Sequence, residues 1–160
     1  MNNTIEWKIS FARNVMLFTT LMTATPEVVF ADGDLVKFPE KYREGVLYTT
    51  VHRGGITEDI YTSRAAIEAV KAGRPIPSGT VITLVDYREG ALFRYVVMEK
   101  RSGWGSDYPP DLRNGEWEFQ AFNADKSLNT QENLIRCFSC HKSEAENEFI
   151  FTMDAMKNSE

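Results

Sequence analysis

The chain has 160 residues, of which 42% are hydrophobic, so it suits one globular domain that can bury a core of its own. Its formal net charge of −5 argues against nucleic acid as a partner, because phosphate binding needs clustered cations and the sequence has no such cluster. There is no internal repeat, low-complexity tract or linker. We therefore expect a single domain over residues 32–160.

The first 31 residues have the pattern of a secretory signal peptide. Lys8 and Arg13 precede an apolar run from Val15 to Ala24, and a Val-x-Ala exit ends at Ala31. The run is shorter than the roughly twenty residues that a membrane-spanning helix needs. We expect cleavage after Ala31 or Ala24 and export to the periplasm, with an uncleaved membrane anchor as the alternative.

The body of the chain is dominated by strand patterns. Four segments enriched in β-branched and aromatic residues predict strands at 45–51, 80–87, 91–100 and 116–122. The second and third flank a tight hairpin turn in which Gly90 can take positive φ. Strand alternation places the odd-numbered residues of the third segment on one face, namely Phe93, Tyr95, Val97 and Glu99. The even-numbered set, Leu92, Arg94, Val96 and Met98, then shares the other face.

Two helices are predicted among these strands. The segment 62–73 has Ser63 as a plausible N-cap and Gly73 as a C-terminal stop. A second helix starts near Asn129, with Glu132 three residues later as in a capping box. The tail at 149–157 predicts one more packed element. The expected class is α+β, mainly β, with an antiparallel sheet and the second helix lying against it.

The stretch CFSCH, Cys137 to His141, holds both cysteines of the chain and one of its two histidines. C-x-x-C-H is the attachment pattern of c-type haem. In a helix, Cys137 and Cys140 are separated along the axis by about 4.5 Å, so their thiols can reach two vinyl groups on one porphyrin edge. His141 then projects towards the iron as the proximal ligand. The pattern predicts one covalently attached haem c per chain.

Other interpretations of CFSCH compete with haem. A redox-active pair usually occurs in a βαβ thioredoxin context, which is absent, although a structural disulfide in an exported domain stays open. A structural zinc site needs four ligands, and His52 would have to join Cys137, Cys140 and His141. Adjacent Cys140 and His141 would chelate one ion awkwardly. Spacing and the export signal together favour haem.

The motif lies near the end of the chain, after a β-rich body. This placement, with the stretches GTVITLVDY, VVMEKRSGWG, NGEWEFQAF and CFSCHKSEAENEFIFT, resembles the cytochrome P-460 family over about residues 38–157. The resemblance implies a five-stranded antiparallel sheet with helices, often in a homodimer, and a mostly five-coordinate haem over the sheet. Members include hydroxylamine-oxidising enzymes and β-type c′ cytochromes that bind nitric oxide.

The resemblance also implies roles for particular residues. Leu84 aligns with the lysine that the enzymes cross-link to the porphyrin, which weakens a hydroxylamine-oxidising assignment and favours the c′ type. Glu99 aligns with the distal carboxylate that relays protons in the enzymes. Glu58 aligns with the family's distal arginine, so that role is left unassigned between Arg53 and Arg64, which lie nearby in the sequence.

Several further residues are candidates for the haem environment. His52 could be a sixth ligand or distal donor, although ordinary hydrogen bonding is the simpler use of a histidine. Methionine could supply an axial sulfur, and the candidates are Met98, Met153 and Met156. Aromatic residues could wall the haem or simply fill the core, and these are Trp104, Tyr108 and Trp117.

The predicted function is an exported mono-haem c-type cytochrome with an open distal site. It would bind or redox-process nitric oxide or a related small nitrogen species, and exchange electrons with a redox partner protein. The alternatives are a six-coordinate electron-transfer cytochrome c and a hydroxylamine-oxidising oxidoreductase.

Overall fold

The computed structural model describes residues 36–110 and 112–160, and the predicted signal peptide lies outside these residues. The described residues form five strands and three α-helices, which confirms the α+β, mainly β class. In chain order these are β1 (Val46–Arg53), β2 (Ile56–Thr62), α1 (Arg64–Lys71), β3 (Val81–Arg88), β4 (Ala91–Lys100), β5 (Trp117–Asn123), α2 (Leu134–His141) and α3 (Met153–Asn158). Within these described ranges, no helix has both the length and the apolar character that crossing a bilayer requires.

The sheet is an antiparallel meander in the order β1-β2-β3-β4-β5. In the β3–β4 hairpin, Gly90 has a φ of 82°, as predicted, and Glu89 before it also has positive φ at 50°. The strand β2 was not predicted separately. Its polar residues at Thr57, Glu58 and Asp59 interrupt the β-branched pattern that marks the other strands.

One predicted helix cap is confirmed and the other is wrong. The Ser63 hydroxyl accepts a hydrogen bond from the Ala66 N–H at 3.2 Å and begins α1. The second helix begins later than predicted, because Asn133, not Asn129, accepts from the Ile135 N–H at 3.1 Å. The side chain of Asn129 instead closes a local turn by accepting from the Gln131 N–H.

Two hydrophobic cores lie on opposite faces of the sheet. The first contains residues from all three helices packed on the strands, among them Ile60, Ile67, Ile82, Phe119, Phe138 and Met156. The second is formed mainly by aromatic residues, and Phe38 covers it with edge-to-face contacts to Tyr95 and Phe122 at 4.9 and 5.3 Å between ring centroids. Within residues 36–110 and 112–160, the three α-helices therefore all pack on the first face.

A β-bulge in β4 corrects the predicted assignment of two side chains. Asp86 pairs with Arg94 and Tyr87 pairs with Leu92, which leaves Phe93 as an extra residue in β4. Leu92 consequently packs in the second core with Tyr87, whereas Phe93 lies on the same side as Arg94. The alternation predicted from residue 94 onwards holds.

The second face also buries a carboxyl group on β5. Glu118 is 2% exposed, and its Oε2 accepts a hydrogen bond from the Tyr108 hydroxyl at 2.6 Å. Its Oε1 has no hydrogen-bond partner among the described residues. Burial is the main cause that raises the pKa of Glu118 from 4.5 to about 7.

We predict that Glu118→Gln removes a pH-dependent loss of stability. Between the unfolded pKa of 4.5 and the folded value of about 7, the folded chain holds a proton that the unfolded chain releases. The free energy of unfolding should therefore fall as pH rises through this window, by at most about 3 kcal/mol. Urea unfolding at pH 5 and pH 8 should show the variant gaining stability relative to wild type only at pH 8. The exposed Glu146→Gln variant is the control, and parallel pH profiles for wild type and Glu118→Gln would contradict the prediction.

Candidate functional site

A cleft lies between α2 and the helix-covered face of the sheet. It comprises two adjoining cavities of about 360 and 970 Å³. Both are lined by Arg53, Glu58, Leu84, Val96 and His141, so they form one continuous site. The volumes fall within the range of sites that enclose a cofactor-sized molecule.

The packing of Phe138 sets the orientation of α2. Its ring is buried between Phe119 and Tyr108, with centroid distances of 4.9 Å to each. The side-chain amide of Asn114 donates to the Phe138 carbonyl at 2.9 Å and fixes the same turn of the helix. Because Phe138 points into the core, the chemically reactive residues that flank it face the cleft. These are Cys137, Cys140 and His141.

The imidazole of His141 is held with one ring nitrogen free. Its Nδ1 lies 2.6 Å from the Phe149 carbonyl oxygen, and since a carbonyl can only accept, Nδ1 carries the proton and donates. The ring sits between Phe119 and Phe151, at centroid distances of 4.8 and 5.1 Å. Burial lowers the pKa of His141, which favours the neutral ring. A neutral imidazole with Nε2 unprotonated is the form that binds a metal.

The two cysteines are free thiols that differ in exposure. Cys140 is exposed at the mouth of the cleft, whereas Cys137 is half-buried. Burial is the main cause that raises the pKa of the Cys137 thiol, and the neighbouring Glu132 carboxylate adds to it. Both side chains line the larger cavity, on the same wall as His141.

The wall opposite His141 is mostly aliphatic. It is formed by alternate residues of β2, β3 and β4, namely Ile60, Ile82, Leu84 and Val96, with Met98 at one end. The predicted Leu84 thus lies in the cleft and lines both cavities. Met98 is the methionine that lines the described cleft, because Met153 and Met156 pack with α3 in the first core.

Large apolar side chains are exposed around the rim of the cleft. Phe93 is 54% exposed, Phe151 is 51% and Ile135 is 47%. Each lines one of the two cavities. Exposed apolar groups clustered around one opening are typical of a binding site, because a bound apolar molecule removes them from water.

Charged residues occupy one end of the cleft. Arg53 and Glu58 form an ion pair at 2.6 Å on adjacent strands. Arg94 lies between the fully buried Asp86, at 3.1 Å, and Glu132, to which it is also hydrogen-bonded. Two more arginines, Arg88 and Arg136, line the same cavity. Four arginine side chains therefore stand where carboxylates of a bound molecule could be recognised.

Glu99 does not lie at the cleft. Since Met98 faces the first core, alternation turns Glu99 to the opposite face of the sheet, where it is 5% exposed and pairs with Arg101 at 2.5 Å. This placement does not fit the distal proton relay that the alignment predicted, because the sheet separates the carboxylate from His141. Glu58, which lines both cavities, replaces it as the candidate carboxylate.

Other predicted candidates also lie away from the cleft. His52 is exposed and its Nδ1 contacts the Thr57 hydroxyl at 3.1 Å, so it does not join the cysteines. Arg64 starts α1 and lines neither cavity. Of the two uses considered for Trp104, Tyr108 and Trp117, the structure shows core filling. Trp104 packs on the second core, and Tyr108 and Trp117 lie in the first core behind Phe138. The aromatic residues of the cleft are Phe93, Phe119 and Phe151.

These features fit haem. The cleft combines apolar walls, a neutral imidazole with a free Nε2 and two thiols on one helix face, and basic side chains at its charged end. The family model for Cytochrome P460 matches residues 39–152. The chain belongs to the cytochrome P460 family. Members of this family bind haem, so the chain is a haem cytochrome. No curated protein gives a significant match.

The sequence reasoning missed part of this P460 cleft. The Arg53–Glu58 ion pair forms because β1 and β2 are paired, with Arg53 opposite Ile56. It could not be predicted, because β2 itself was not predicted. Phe93 was placed on the wrong face because a bulge leaves no clear signal in the sequence. Phe151 could have been noticed as an aromatic residue ten positions after His141, in a tail predicted to pack.

We predict that the two thiols react at different rates in the haem-free chain. Iodoacetamide at pH 7.5 should alkylate Cys140 several-fold faster than Cys137, because Cys140 is exposed and burial raises the pKa of Cys137. Peptide mass spectrometry of timed samples measures both rates. In urea the two rates should become similar. Equal rates in the folded chain would show that α2 does not hold Cys137 as described.

Proposed function

We propose that this chain is an exported mono-haem c-type cytochrome that binds nitric oxide or a related small nitrogen species at an open iron site. The observation that carries the proposal is the hydrogen bond from His141 Nδ1 to the Phe149 carbonyl, which leaves Nε2 free in an apolar cleft. The two cysteine thiols stand on the same helix face. This is the donor set that covalent haem attachment requires.

Each residue of the cleft has a definite part in this proposal. Cys137 and Cys140 would hold the haem through thioether bonds to its two vinyl groups, and His141 Nε2 would ligate the iron. Of the arginines at the charged end, Arg136 is the first candidate to bind the haem carboxylates, because Arg88 already pairs with Asp86 at 2.8 Å. The bound haem supplies an iron that takes up small ligands and changes oxidation state.

The opposite wall favours an open coordination position. Across the cleft from His141, the aliphatic side chains of Ile60, Ile82 and Leu84 carry no atom that can ligate iron. They exclude water and leave room for a small, weakly polar ligand. At the edge of this wall, Glu58 can hold or move a proton, and Arg53 at 2.6 Å orients its carboxylate.

Export and partners form part of the same proposal. Residues 1–31 have the pattern of a secretory signal, and bacterial c-type haem attachment takes place outside the cytoplasm. A cytochrome in that compartment must exchange electrons with a redox partner protein. We also propose a homodimer, which rests on the family resemblance alone.

We predict that the mature protein, expressed with haem-maturation machinery, has the mass of its cleaved polypeptide plus one haem. A Cys137→Ala, Cys140→Ala double variant should lose covalent haem, because each thioether bond needs its own thiol. Intact-mass spectrometry under denaturing conditions makes both measurements, and it also locates the cleavage site. Ser139→Ala, in the same helix and lining the same cavity, is the control and should keep its haem. Covalent haem that survives the double change would overturn the assignment.

We further predict an ordinary c-type absorption spectrum with nitric oxide binding and slow or absent hydroxylamine oxidation. Leu84 lines the cleft and has no nucleophilic atom, so it cannot form the cross-link that the aligned lysine makes in the enzymes. Spectra of the ferrous protein, with and without nitric oxide, test the first two points. A strongly red-shifted spectrum with rapid hydroxylamine turnover would contradict this prediction.

A six-coordinate electron carrier is the second candidate, because Met98 lines the cleft and its thioether is an iron ligand in other cytochromes. The same spectra separate the two functions. A low-spin ferrous spectrum that does not change with nitric oxide or carbon monoxide favours the carrier. In that case Met98→Leu should restore ligand binding, since leucine keeps the volume and removes the sulfur.

A further inference from the structure

The carbonyl group that accepts the His141 hydrogen bond belongs to an unusual backbone segment. Glu148 and Phe149 are consecutive non-glycine residues in the left-handed region, with φ values of 50° and 64°. Such conformations persist only where surrounding contacts hold them, and they concentrate at functional sites. The segment joins the 3-10 turn that follows α2 to the start of α3, and it directs the Phe149 carbonyl at His141 Nδ1 at 2.6 Å.

Two hydrogen bonds to its carboxylate hold Glu148 in this conformation. Its Oε1 accepts from the Ile76 N–H at 3.0 Å, and its Oε2 accepts from Lys100 Nζ at 2.5 Å. Lys100 Nζ also donates to the Ile76 carbonyl at 2.9 Å. The carboxylate thus ties the segment to the α1–β3 connection and to the end of β4. Both charged side chains are well covered, with exposed fractions of 16% for Lys100 and 32% for Glu148.

The ring of Phe149 fixes the other side of the segment. It packs over Gly115, where an added Cβ would lie 2.9 Å from Phe149 Cε2. Gly115 itself has a φ of 59°, so both its backbone and its lack of a side chain suit this contact. The Phe149 N–H donates to the Glu144 carbonyl at 2.7 Å. The carbonyl oxygen of Phe149 is therefore held from two directions.

We propose that Glu148 and Lys100 are positioning residues that set the strength of the His141–Phe149 hydrogen bond and thereby the electron donation from His141 to the haem iron. This inference rests on the proposed function, in which His141 Nε2 ligates the iron. We call the pair the Glu148–Lys100 brace. Neither residue lines the cleft, so the brace acts only through the Phe149 carbonyl.

The physical link runs through the imidazole ring. A histidine whose N–H donates to a well-oriented acceptor has a more basic second nitrogen and binds a metal more strongly. A stronger donor stabilises ferric iron over ferrous iron, which lowers the midpoint potential. If the brace is loosened, the Phe149 carbonyl moves off the Nδ1–H direction, and the potential should rise.

Lys100→Met offers a test in which positioning and simple charge effects on the midpoint potential have opposite signs. Glu148→Gln removes a negative charge, and charge alone would raise the potential. Lys100→Met removes a positive charge, and charge alone would lower it. Both changes break the ion pair, so the brace predicts that both raise the potential. Methionine also keeps the stem of Lys100, which approaches the Trp117 ring at 6.0 Å.

The measurements are the ferric/ferrous midpoint potential and the iron–histidine stretching frequency of the ferrous haem protein. We expect each variant to raise the potential by the equivalent of roughly tenfold in the redox equilibrium constant, about 59 mV for one electron. The stretching frequency should fall, and Lys100→Arg should restore values near wild type. The control is Glu146→Gln, an exposed carboxylate two residues away, which should change neither quantity. If the midpoint potentials of Glu148→Gln and Lys100→Met shift in opposite directions, or do not shift, the positioning role of this pair is contradicted.

A second readout separates failure of the brace from failure of the proposed function. If intact mass shows no covalent haem, the proposed function fails. Nitrogen-15 NMR of His141 in the haem-free full chain then tests whether Glu148 and Lys100 position the Phe149 carbonyl. Wild type should show the Nδ1–H tautomer, and Lys100→Met should show a mixture of tautomers. An unchanged tautomer would overturn the brace. If Lys100→Met does not fold, the iron–histidine stretching frequency of Glu148→Gln decides, because both effects raise the potential of that variant.

Discussion

The alternation of side chains along five antiparallel strands is the constraint on which the site depends. One face receives all three helices and supplies the aliphatic wall of the cleft, through Ile60, Ile82, Leu84 and Val96. The other face is closed by aromatic residues around Phe38. A shift of one residue in a central strand would exchange these sets, and in β2 it would bring Asp59 or Tyr61 to the position of Ile60. The register of β3 and β4 is therefore as important to the haem site as the cysteines themselves.

The second requirement for the site is the orientation of α2 about its own axis. Its single buried residue, Phe138, packs against Phe119 and Tyr108 and is hydrogen-bonded by Asn114. At helical spacing this anchor turns the residue before it and the residues two and three after it towards the cleft. Since the backbone of the following segment carries the acceptor for His141, the position of the imidazole depends on contacts on both sides of the ring.

The sequence predicts the parts of this site that arise from local patterns. The cysteine and histidine spacing, the strand Ala91–Lys100 and the Ser63 cap each depend on residues close together in the chain, and the structure places each as the local pattern indicates. The bulge at Phe93 and the pairing of Arg53 with Glu58 depend on register between strands.

A similar limit explains the remaining errors. The face of Glu99 was read correctly by alternation, but which face meets α2 is decided by helix packing that no short window of sequence records. The cap at Asn133 was missed because Asn129 offers the same chemistry four residues earlier. In both cases the local sequence is compatible with two arrangements, and tertiary contacts select one of them.

The order of elements along the chain has a consequence for maturation. All five strands precede Cys137, and each pairs with its neighbour in sequence, so the sheet forms through short loop closures. Folds with such local pairing form quickly. On the proposed route of export and covalent attachment, a chain emerging from the translocation channel would therefore complete its sheet before the thiols become available to the haem-attachment machinery. The macrocycle would then join an assembled scaffold, and the exposed Phe93, Ile135 and Phe151 would need shielding from self-association only during the interval before attachment.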